Sequence, residues 1–474
     1  MEIGQFYIDG TWVDPVAPEW MAMINPATEE EFGRLALGSA ADIDRAVTAA
    51  RAALPAFSTT SPADRAAMMR RIIAEFDARA EEFAQATTLE MGSPISFSRT
   101  GQVTRGPAHL GKTLEVLERF EFDRSFGPSR LRYESVGVCG LITPWNWPVN
   151  QVVVKVAPAL AAGCTMVLKP SEYSPVTARL FAEVMDAAGV PPGVFNLVFG
   201  RGETAGARLS EHPDVDAVSF TGSTRAGVEI ARAAAPTVKR VSQELGGKTA
   251  NVILPDADLD AAVRKGVAVC FANSGQSCAA PTRMLVPADR LEEACAAAAE
   301  AAEALRVGDP GDDATELGPV VNRAQFDRIQ SLIRIGIGEG ARLVTGGEGR
   351  PDGFNRGYYV RPTVFAGVTP DMTIARTEIF GPVLCILSYE TEDEAVEIAN
   401  DTPYGLSAHI QTGDPAAAVA LADRLVAGAI YFNYPPFDFG APFGGRKQSG
   451  NGREWGEFGL MEYLEAKSLI GDLG

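Results

Sequence analysis

The chain has 474 residues, with 61 acidic side chains against 42 basic ones and a formal net charge of −19. That length exceeds what one hydrophobic core usually serves, so two or more domains are expected. Hydrophobic residues make up 46% and charged residues 22%, an ordinary globular balance, and the acidic surface argues against nucleic acid or anionic membranes as partners.

The opening, Met1 to Gly10, has neither a basic n-region nor an apolar h-region. The longest apolar-rich run, Val149 to Leu168, contains Asn150, Gln151, Lys155 and Pro158. It falls short of the roughly 20 apolar residues that span a bilayer. A cytoplasmic location is therefore the expectation. Six cysteines (139, 164, 270, 278, 295 and 385) form no Cys-x-x-Cys pair, and there are three histidines. Structural zinc and a disulfide framework are both disfavoured.

After a short β start, Asp42 to Ala56 and Ser61 to Thr88 carry helix formers at helical spacing. Ser61 and Pro62 make a helix start, with serine as cap and proline in the first turn. The charged, alternating segment Phe120 to Tyr133 predicts a hairpin centred on Gly127-Pro128, outside the main sheet. From Val136 strands and helices alternate. Strands are predicted at Val136 to Ile142, Thr165 to Lys169, Phe195 to Phe199 and Val215 to Thr221. Helices are predicted at Val149 to Ala162, Pro175 to Ala188, Glu203 to Ser210 and Thr224 to Ala234. This is an α/β pattern with a mostly parallel sheet and helices on both faces, which binds nucleotides at the carboxyl ends of its strands. A strand at Val238 to Ser242 follows. A second α/β run extends from about Lys248 to Gly445, with a helix at Leu259 to Ala272 and a strand at Arg283 to Val286.

Five segments carry chemistry. In Phe271 to Cys278, a helix runs into a polar, glycine-containing turn that ends in a cysteine. Such a loop can expose a thiol and lower its pKa through nearby backbone N–H groups. Cys270, in the apolar run Val267 to Phe271, reads instead as a packed small hydrophobe. In Gln243 to Lys248, Glu244 closes a strand before Gly246-Gly247, where the backbone can turn sharply and approach a ligand. A glutamate there can serve as a general base for water, against the ordinary reading of a solvated glutamate. In Thr143 to Pro148, two prolines stiffen a loop that could present Asn146 to a developing oxyanion. Lys169, Ser171 and Glu172 follow a strand end, where ribose and phosphate lie in such folds. Thr221, Gly222 and Ser223 lead into a helix and form an anion site at its N-terminus, without the usual G-x-G-x-x-G spacing.

Taken together, these segments resemble the aldehyde dehydrogenase superfamily, and the resemblance covers nearly the whole chain. Phe6 to Gly10, Ile24 to Thr28, Glu378 to Val383, Asn400 to Leu406 and Pro442 to Gly445 also match its motifs. The resemblance implies an aldehyde dehydrogenase-like α/β fold. A Rossmann-type cofactor domain would span 1–113 and 136–246, and a catalytic domain 247–446. A small β subdomain for oligomerisation would combine 114–135 with 447–474. It implies Cys278 as nucleophile, Asn146 and the Cys278 N–H as oxyanion donors, and Glu244 as base. The cofactor would be NAD, with NADP as the lesser alternative. Its contacts would be Thr143, Pro144, Trp145, Lys169, Ser171, Glu172, Gly202, Gly206, Thr221, Gly222, Ser223, Gly227, Leu245, Glu378 and Phe380. Glu454 matches an acidic position of a proton relay. A homo-oligomer, dimer or tetramer, is implied, with a small-molecule aldehyde as substrate and no metal.

Two departures fall near the substrate channel. Arg446 stands where tyrosine is common, and Tyr434 to Ala441 resembles a bacterial branch acting on larger, often degradation-derived aldehydes. The aromatics Tyr434, Phe437, Phe439 and Phe443, with Trp147, suit an apolar aldehyde larger than acetaldehyde; otherwise they pack the core beneath the loop. Asp438 and Arg446 are the charged exceptions and can face solvent. A CoA-acylating enzyme would have no need of a water-activating Glu244. A non-catalytic relative would have no need of Cys278, Glu244 and Asn146 together.

Overall fold

Two largely parallel sheets form the frame of the protein, whose computed structural model describes residues 1–471. The first sheet runs, in spatial order, Gly450–Asn451, Arg240–Glu244, Ala217–Thr221, Val138–Ile142, Thr165–Lys169, Phe195–Leu197, Phe6–Ile8 and Thr11–Val13. Its five central strands are parallel. From Val138–Ile142 the chain steps outward to Thr165–Lys169 and Phe195–Leu197. It then returns to the other side of Val138–Ile142 with Ala217–Thr221 and Arg240–Glu244. The strand order therefore reverses between Val138–Ile142 and Ala217–Thr221. Crossover connections leave a crevice at the carboxyl ends of the strands at such a reversal.

The second sheet runs Arg342–Thr345, Thr363–Ala366, Val383–Tyr389, Arg283–Pro287, Ala250–Ile253, Ser407–Gln411 and Ala429–Phe432. Successive side chains of a strand point to opposite faces. Val383, Cys385 and Leu387 enter one core, and Leu384 and Ile386 enter another. Both faces are covered, so the strand reads as a continuous apolar run. A third, small sheet joins the hairpin Asp123–Phe126 and Ser129–Ser135 to Leu464–Leu469. The hairpin turns at Gly127-Pro128, as its sequence predicts.

Some elements differ from expectation. The helix predicted over Ser61 to Thr88 is two, Pro62–Ala78 and Ala80–Met91, because Arg79 (φ −115°, ψ 14°) leaves the helical region. Its start is as expected: Ser61 accepts from the Asp64 N–H, with Pro62 in the first turn. The helix predicted at Glu203 to Ser210 is a π-turn, Gly202–Gly206, followed by Ala207–Glu211. The strand expected at Val238 to Ser242 is Arg240–Glu244, because Val238 is left-handed (φ 55°) and closes the preceding turn. A two-residue shift preserves which face each side chain takes, but it carries Glu244 to the strand's end, opposite Thr221. The segment 447–474 is not confined to the small sheet. Gly450–Asn451 pairs with Arg240–Glu244, and Gly456–Met461 is a helix. Residues 472–474, the end of that segment, lie outside the described residues.

Candidate active site

The crevice at the strand reversal is a cleft of about 240 Å³. One wall is Pro144, Trp145 and Asn146, from the loop after Val138–Ile142. The floor and far wall bring Thr221, Gly222, Ser223, Glu244, Leu245 and Gly246 together with Cys278, and Glu378 and Phe380 close it from the second sheet. Segments scattered from Pro144 to Phe380 thus converge on a single opening.

Cys278 is placed by backbone that L-residues seldom adopt. After helix Leu259–Phe271, Asn273 (φ 57°), Ser274 (φ 56°) and Gly275 (φ 72°) lie in the left-handed region. Strain of this kind persists only where its surroundings hold it. Here Asn273 Nδ2 donates to the Asn146 carbonyl at 2.8 Å. Gln102 Nε2 donates to Asn273 Oδ1 at 3.0 Å and to the Asn146 carbonyl at 3.2 Å. Asn146 Nδ2 donates to the Gln276 carbonyl at 3.1 Å. A primary amide has two N–H donors, so Asn146 keeps one for a ligand beside Cys278. Gly246 and Gly247 were expected to let the backbone approach a ligand. Gly246 lines the cleft, and both glycines also make room for protein: a Cβ on Gly247 would collide with the Cys278 carbonyl, and one on Gly246 would stand 2.5 Å from Glu378 Oε2.

Of the six cysteines only Cys278 is not buried. Its thiol faces the Glu244 carboxylate, although no hydrogen bond of good geometry joins them and both carboxylate oxygens of Glu244 lack a partner. Desolvation, then Glu244 and Glu378, push the thiol well above its ordinary pKa. This corrects the expectation that backbone N–H groups lower it, because three carboxylates and a dry site outweigh those dipoles. Burial and the Glu454 charge likewise raise the Glu244 pKa, opposed by Lys155. The Lys155 ammonium, fully buried, donates to Glu454 Oε1 at 2.5 Å and to Ser219 Oγ at 3.1 Å. The pair connects Glu454 to the site electrostatically, and Lys155 was not foreseen.

The remaining predicted residues lie along the carboxyl ends of four adjacent strands. Gly202 and Gly206 follow Phe195–Leu197 at the two ends of the π-turn. Lys169, Ser171 and Glu172 follow the next strand, with Lys169 Nζ 3.4 Å from Glu172 Oε2. Thr143 follows the third and leads into the cleft. Thr221 to Ser223 follow the fourth, and Ser223 caps helix Thr224–Ala234 by accepting from the Ala226 N–H. Four strands span about 15 Å, the length of an extended ligand lying across the sheet. The buried hydroxyls of Thr143 and Thr221 have no partner. Phe380 (φ 64°) meets Trp145 edge-on, with ring centres 5.5 Å apart. Burial lifts Glu378 to about 7, despite its bond from the Gly247 N–H at 3.0 Å. Gly227 is closely packed. It lies against the Leu245 side chain, where a Cβ would stand 2.7 Å from Cδ2.

On the other side of Cys278, Phe443 stacks on Trp455 at 4.6 Å, and both join Val154 and Leu406 in a cluster against Cys278 and Ala279. Phe439 packs on Trp455 and His109. The aromatic-wall reading is compatible with Phe439 and Phe443, which both pack on Trp455. It fails for Tyr434, whose hydroxyl donates to the Ala262 carbonyl and accepts from Asn251 Nδ2, anchoring it in the second sheet. Asp438 and Arg446 are exposed. Trp455 (φ 73°, ψ 150°) occupies a region almost reserved for glycine. No feature of its sequence context gave it away.

The sequence model of the aldehyde dehydrogenase family matches residues 12–469. The chain is similar to 3-succinoylsemialdehyde-pyridine dehydrogenase of a Pseudomonas species, with 51% identity over 468 residues, 98% of each chain. Among solved structures it is similar to aldehyde dehydrogenase C of Pseudomonas syringae, a cysteine-to-alanine mutant complexed with NAD⁺ and octanal. That match has a TM-score of 0.98 and 54% identity, and covers 98% of this chain and 96% of that one. It is also similar to a Mycobacterium tuberculosis aldehyde dehydrogenase complexed with NAD⁺, with a TM-score of 0.97 and 39% identity, covering 100% and 99%.

Proposed function

The chain belongs to the aldehyde dehydrogenase family, and on that premise we propose how its cleft works and which aldehydes it takes. The protein oxidises an aldehyde to the carboxylic acid. The observation that carries the assignment of roles is the Cys278 thiol facing Glu244 at the strand reversal.

The residues present fit NAD⁺. The uncapped backbone N–H groups at the start of helix Thr224–Ala234 suit a pyrophosphate. Lys169 and Glu172 suit the adenosine ribose, where a carboxylate favours a free hydroxyl over the phosphate of NADP⁺. Gly202 and Gly206 line the adenine side, and Glu378 and Phe380 hold the second ribose. Bound NAD⁺ supplies the acceptor for the hydride that leaves the substrate carbon.

Cys278 gives up its proton to solvent as its sulfur attacks the carbonyl carbon, which leaves Glu244 free for the second half of the reaction. The free N–H of Asn146 and the Cys278 backbone N–H stabilise the oxyanion, the largest single contribution in acyl-transfer sites of this kind. Loss of hydride leaves a thioester on Cys278. Glu244 then takes a proton from water, which attacks the thioester and releases the acid. Glu454 and Lys155 tune the basicity of Glu244. A CoA-acylating enzyme would transfer the acyl group to CoA instead. The measurement that decides is the product from an aldehyde panel with and without CoA: free acid in both supports the hydrolytic route, and acyl-CoA overturns it.

We propose that Val154, Phe443 and Trp455, which cluster against Cys278, and Phe439, which packs on Trp455, face the substrate and suit an aldehyde larger than acetaldehyde, in keeping with the octanal complex of the P. syringae relative. The cofactor domain is proposed to comprise 1–113 and 136–246, and the catalytic domain 247–446. The small sheet of 114–135 and 447–474 would pair with another protomer. The outer strands of that sheet have unpaired edges, and Phe126 and Phe458 beside it are exposed. A cytoplasmic location completes the proposal: no helix among the described residues is long and apolar enough to cross a membrane.

A further inference from the structure

Gln102 lies outside every segment that the sequence marks for chemistry, yet its side chain ends between the two loops that make the site. It is the last residue of the π-turn Ser98–Gln102 and is fully buried. A π-turn interrupts the ordinary helical ladder and is frequent at functional sites. Gln102 Nε2 donates to the Asn146 carbonyl at 3.2 Å and to Asn273 Oδ1 at 3.0 Å. The first acceptor belongs to the loop that presents the Asn146 amide. The second belongs to the left-handed turn that delivers Cys278. A primary amide has two N–H groups, and Gln102 places one on each loop. The Met91 sulfur, 3.7 Å from Nε2, is a weaker third contact.

The two acceptors are themselves joined. Asn273 Nδ2 donates to the Asn146 carbonyl at 2.8 Å and to the Gln276 carbonyl at 3.2 Å. The Asn146 amide donates to that same Gln276 carbonyl at 3.1 Å. Asn146 is thus gripped at its main-chain carbonyl by Gln102 and Asn273, and at its side chain by Gln276. The Gln276 carbonyl also orients the Asn146 amide, because a flipped amide would set oxygen against oxygen. Of these four buried residues, only Gln102 comes from outside the two loops. Packing does not account for it. Its Oε1 is buried and meets no protein donor, a cost that an apolar side chain of similar volume would avoid. What the glutamine supplies is a pair of N–H groups at a fixed separation, across which the two loops are held.

We propose that Gln102 is a positioning residue for aldehyde oxidation. By bridging the Asn146 carbonyl and the Asn273 side chain, it fixes the separation between the Asn146 amide and the thiol and N–H of Cys278. The proposal rests on the reading of Asn146 as an oxyanion donor beside Cys278. Gln102 touches neither substrate nor cofactor in it and acts through those two residues. Donors that stabilise a developing oxyanion must be in place before the reaction, and a displacement of about 1 Å can cost about 10²-fold in rate. Without Gln102, Asn273 Oδ1 is left as a buried acceptor with no partner, and the strained turn 273–275 loses one of its restraints.

The test measures kcat and KM for hexanal and the rate of NADH formation in a single turnover, each per NAD⁺-binding site counted by titration calorimetry. Gln102→Met removes both donors at nearly the same volume. It should lower kcat/KM about 10- to 100-fold, through kcat and not KM, because the oxyanion develops only beyond the ground state. The decisive reading is a double-mutant cycle with Asn146→Ala. Added to Asn146→Ala, the Gln102→Met change should cost about two- to threefold at most, because it acts through the amide already removed. Gln102→Glu keeps the shape, and its carboxyl, protonated between two oxygens, can serve only one of them. It should recover part of the rate lost in Gln102→Met, and it carries the same cycle if Gln102→Met does not fold. A wild-type rate per site in Gln102→Met overturns the proposal, since a purely structural glutamine would lower only the number of sites. Losses that multiply in full across the cycle overturn it too, because they place the effect of Gln102 elsewhere. An Asn146→Ala variant as fast as wild type overturns the reading of Asn146, and the positioning role with it.

Discussion

Lys155 and Glu454 lie 299 residues apart in sequence and meet at 2.5 Å in the interior, their side chains 1% and 10% exposed. They act on Glu244 in opposite directions: Glu454 raises its pKa and Lys155 lowers it. The base that faces Cys278 is thus held in balance by a buried ion pair.

That balance predicts opposite shifts in the pH profile. Glu244 must be ionised to take a proton, and burial lifts its pKa above the ordinary carboxylate range. Turnover should therefore rise as pH increases through that raised pKa. Lys155→Met removes the charge that lowers it and should move the acid limb to higher pH. Glu454→Gln removes a charge that raises it and should move the limb to lower pH. Shifts of the same sign in both variants would exclude the ion pair as the tuning element. Lys155→Met should also destabilise the fold by about 3–5 kcal/mol, because it strands a buried carboxylate; urea unfolding measures this.

Cys278→Ala should abolish aldehyde oxidation and leave NAD⁺ affinity near that of the wild type. The cofactor-side groups are anchored to other strands and do not depend on the thiol. Titration calorimetry with NAD⁺ alongside steady-state assays separates the two effects. Substantial turnover without the thiol would end the covalent mechanism.

Glu244→Gln should stall the enzyme after hydride transfer. A burst of NADH near one equivalent per active site should be followed by turnover about 10²- to 10⁴-fold slower than wild type, the usual contribution of a general base. Slow formation of the first equivalent as well would show that Glu244 also accepts the Cys278 proton, which the raised pKa of that thiol requires of some base. An unchanged steady-state rate would remove Glu244 from the mechanism.

The chain should self-associate. Light scattering at micromolar concentration should give at least twice the mass of one chain, and Phe458→Glu, on the exposed face of helix Gly456–Met461, should lower it. A monomeric wild type would refute pairing through the small sheet.

The kcat/KM values for unfunctionalised aldehydes should rise from acetaldehyde to hexanal, since each methylene placed among Phe439, Phe443 and Trp455 gains apolar burial worth about 0.8 kcal/mol. A flat series would mean that this wall does not touch substrate. Trp455→Ala should flatten the rise.

Local sequence determined the alternating α/β elements, the hairpin at Gly127-Pro128 and the strand-end loops, because periodicity, proline and glycine act within a few residues. It also marked Cys278, Glu244 and Asn146, since each stands in a short polar or glycine-containing segment unlike a core. The tertiary structure decided what depends on partners far along the chain. It made the thiol harder to ionise, by gathering Glu244, Glu378 and Glu454 around it in a dry cleft. It turned Tyr434 into the second sheet and Gly227 against Leu245. It brought Lys155 to Glu454, stacked Trp455 on Phe443, and set Arg105 between Trp147 and Phe437. Lys155 and Arg105 carry no local signature, since a lone basic residue on a helix reads as solvated until packing removes the water. Burial and pairing are properties of the assembled layers, and so is the chemistry they tune.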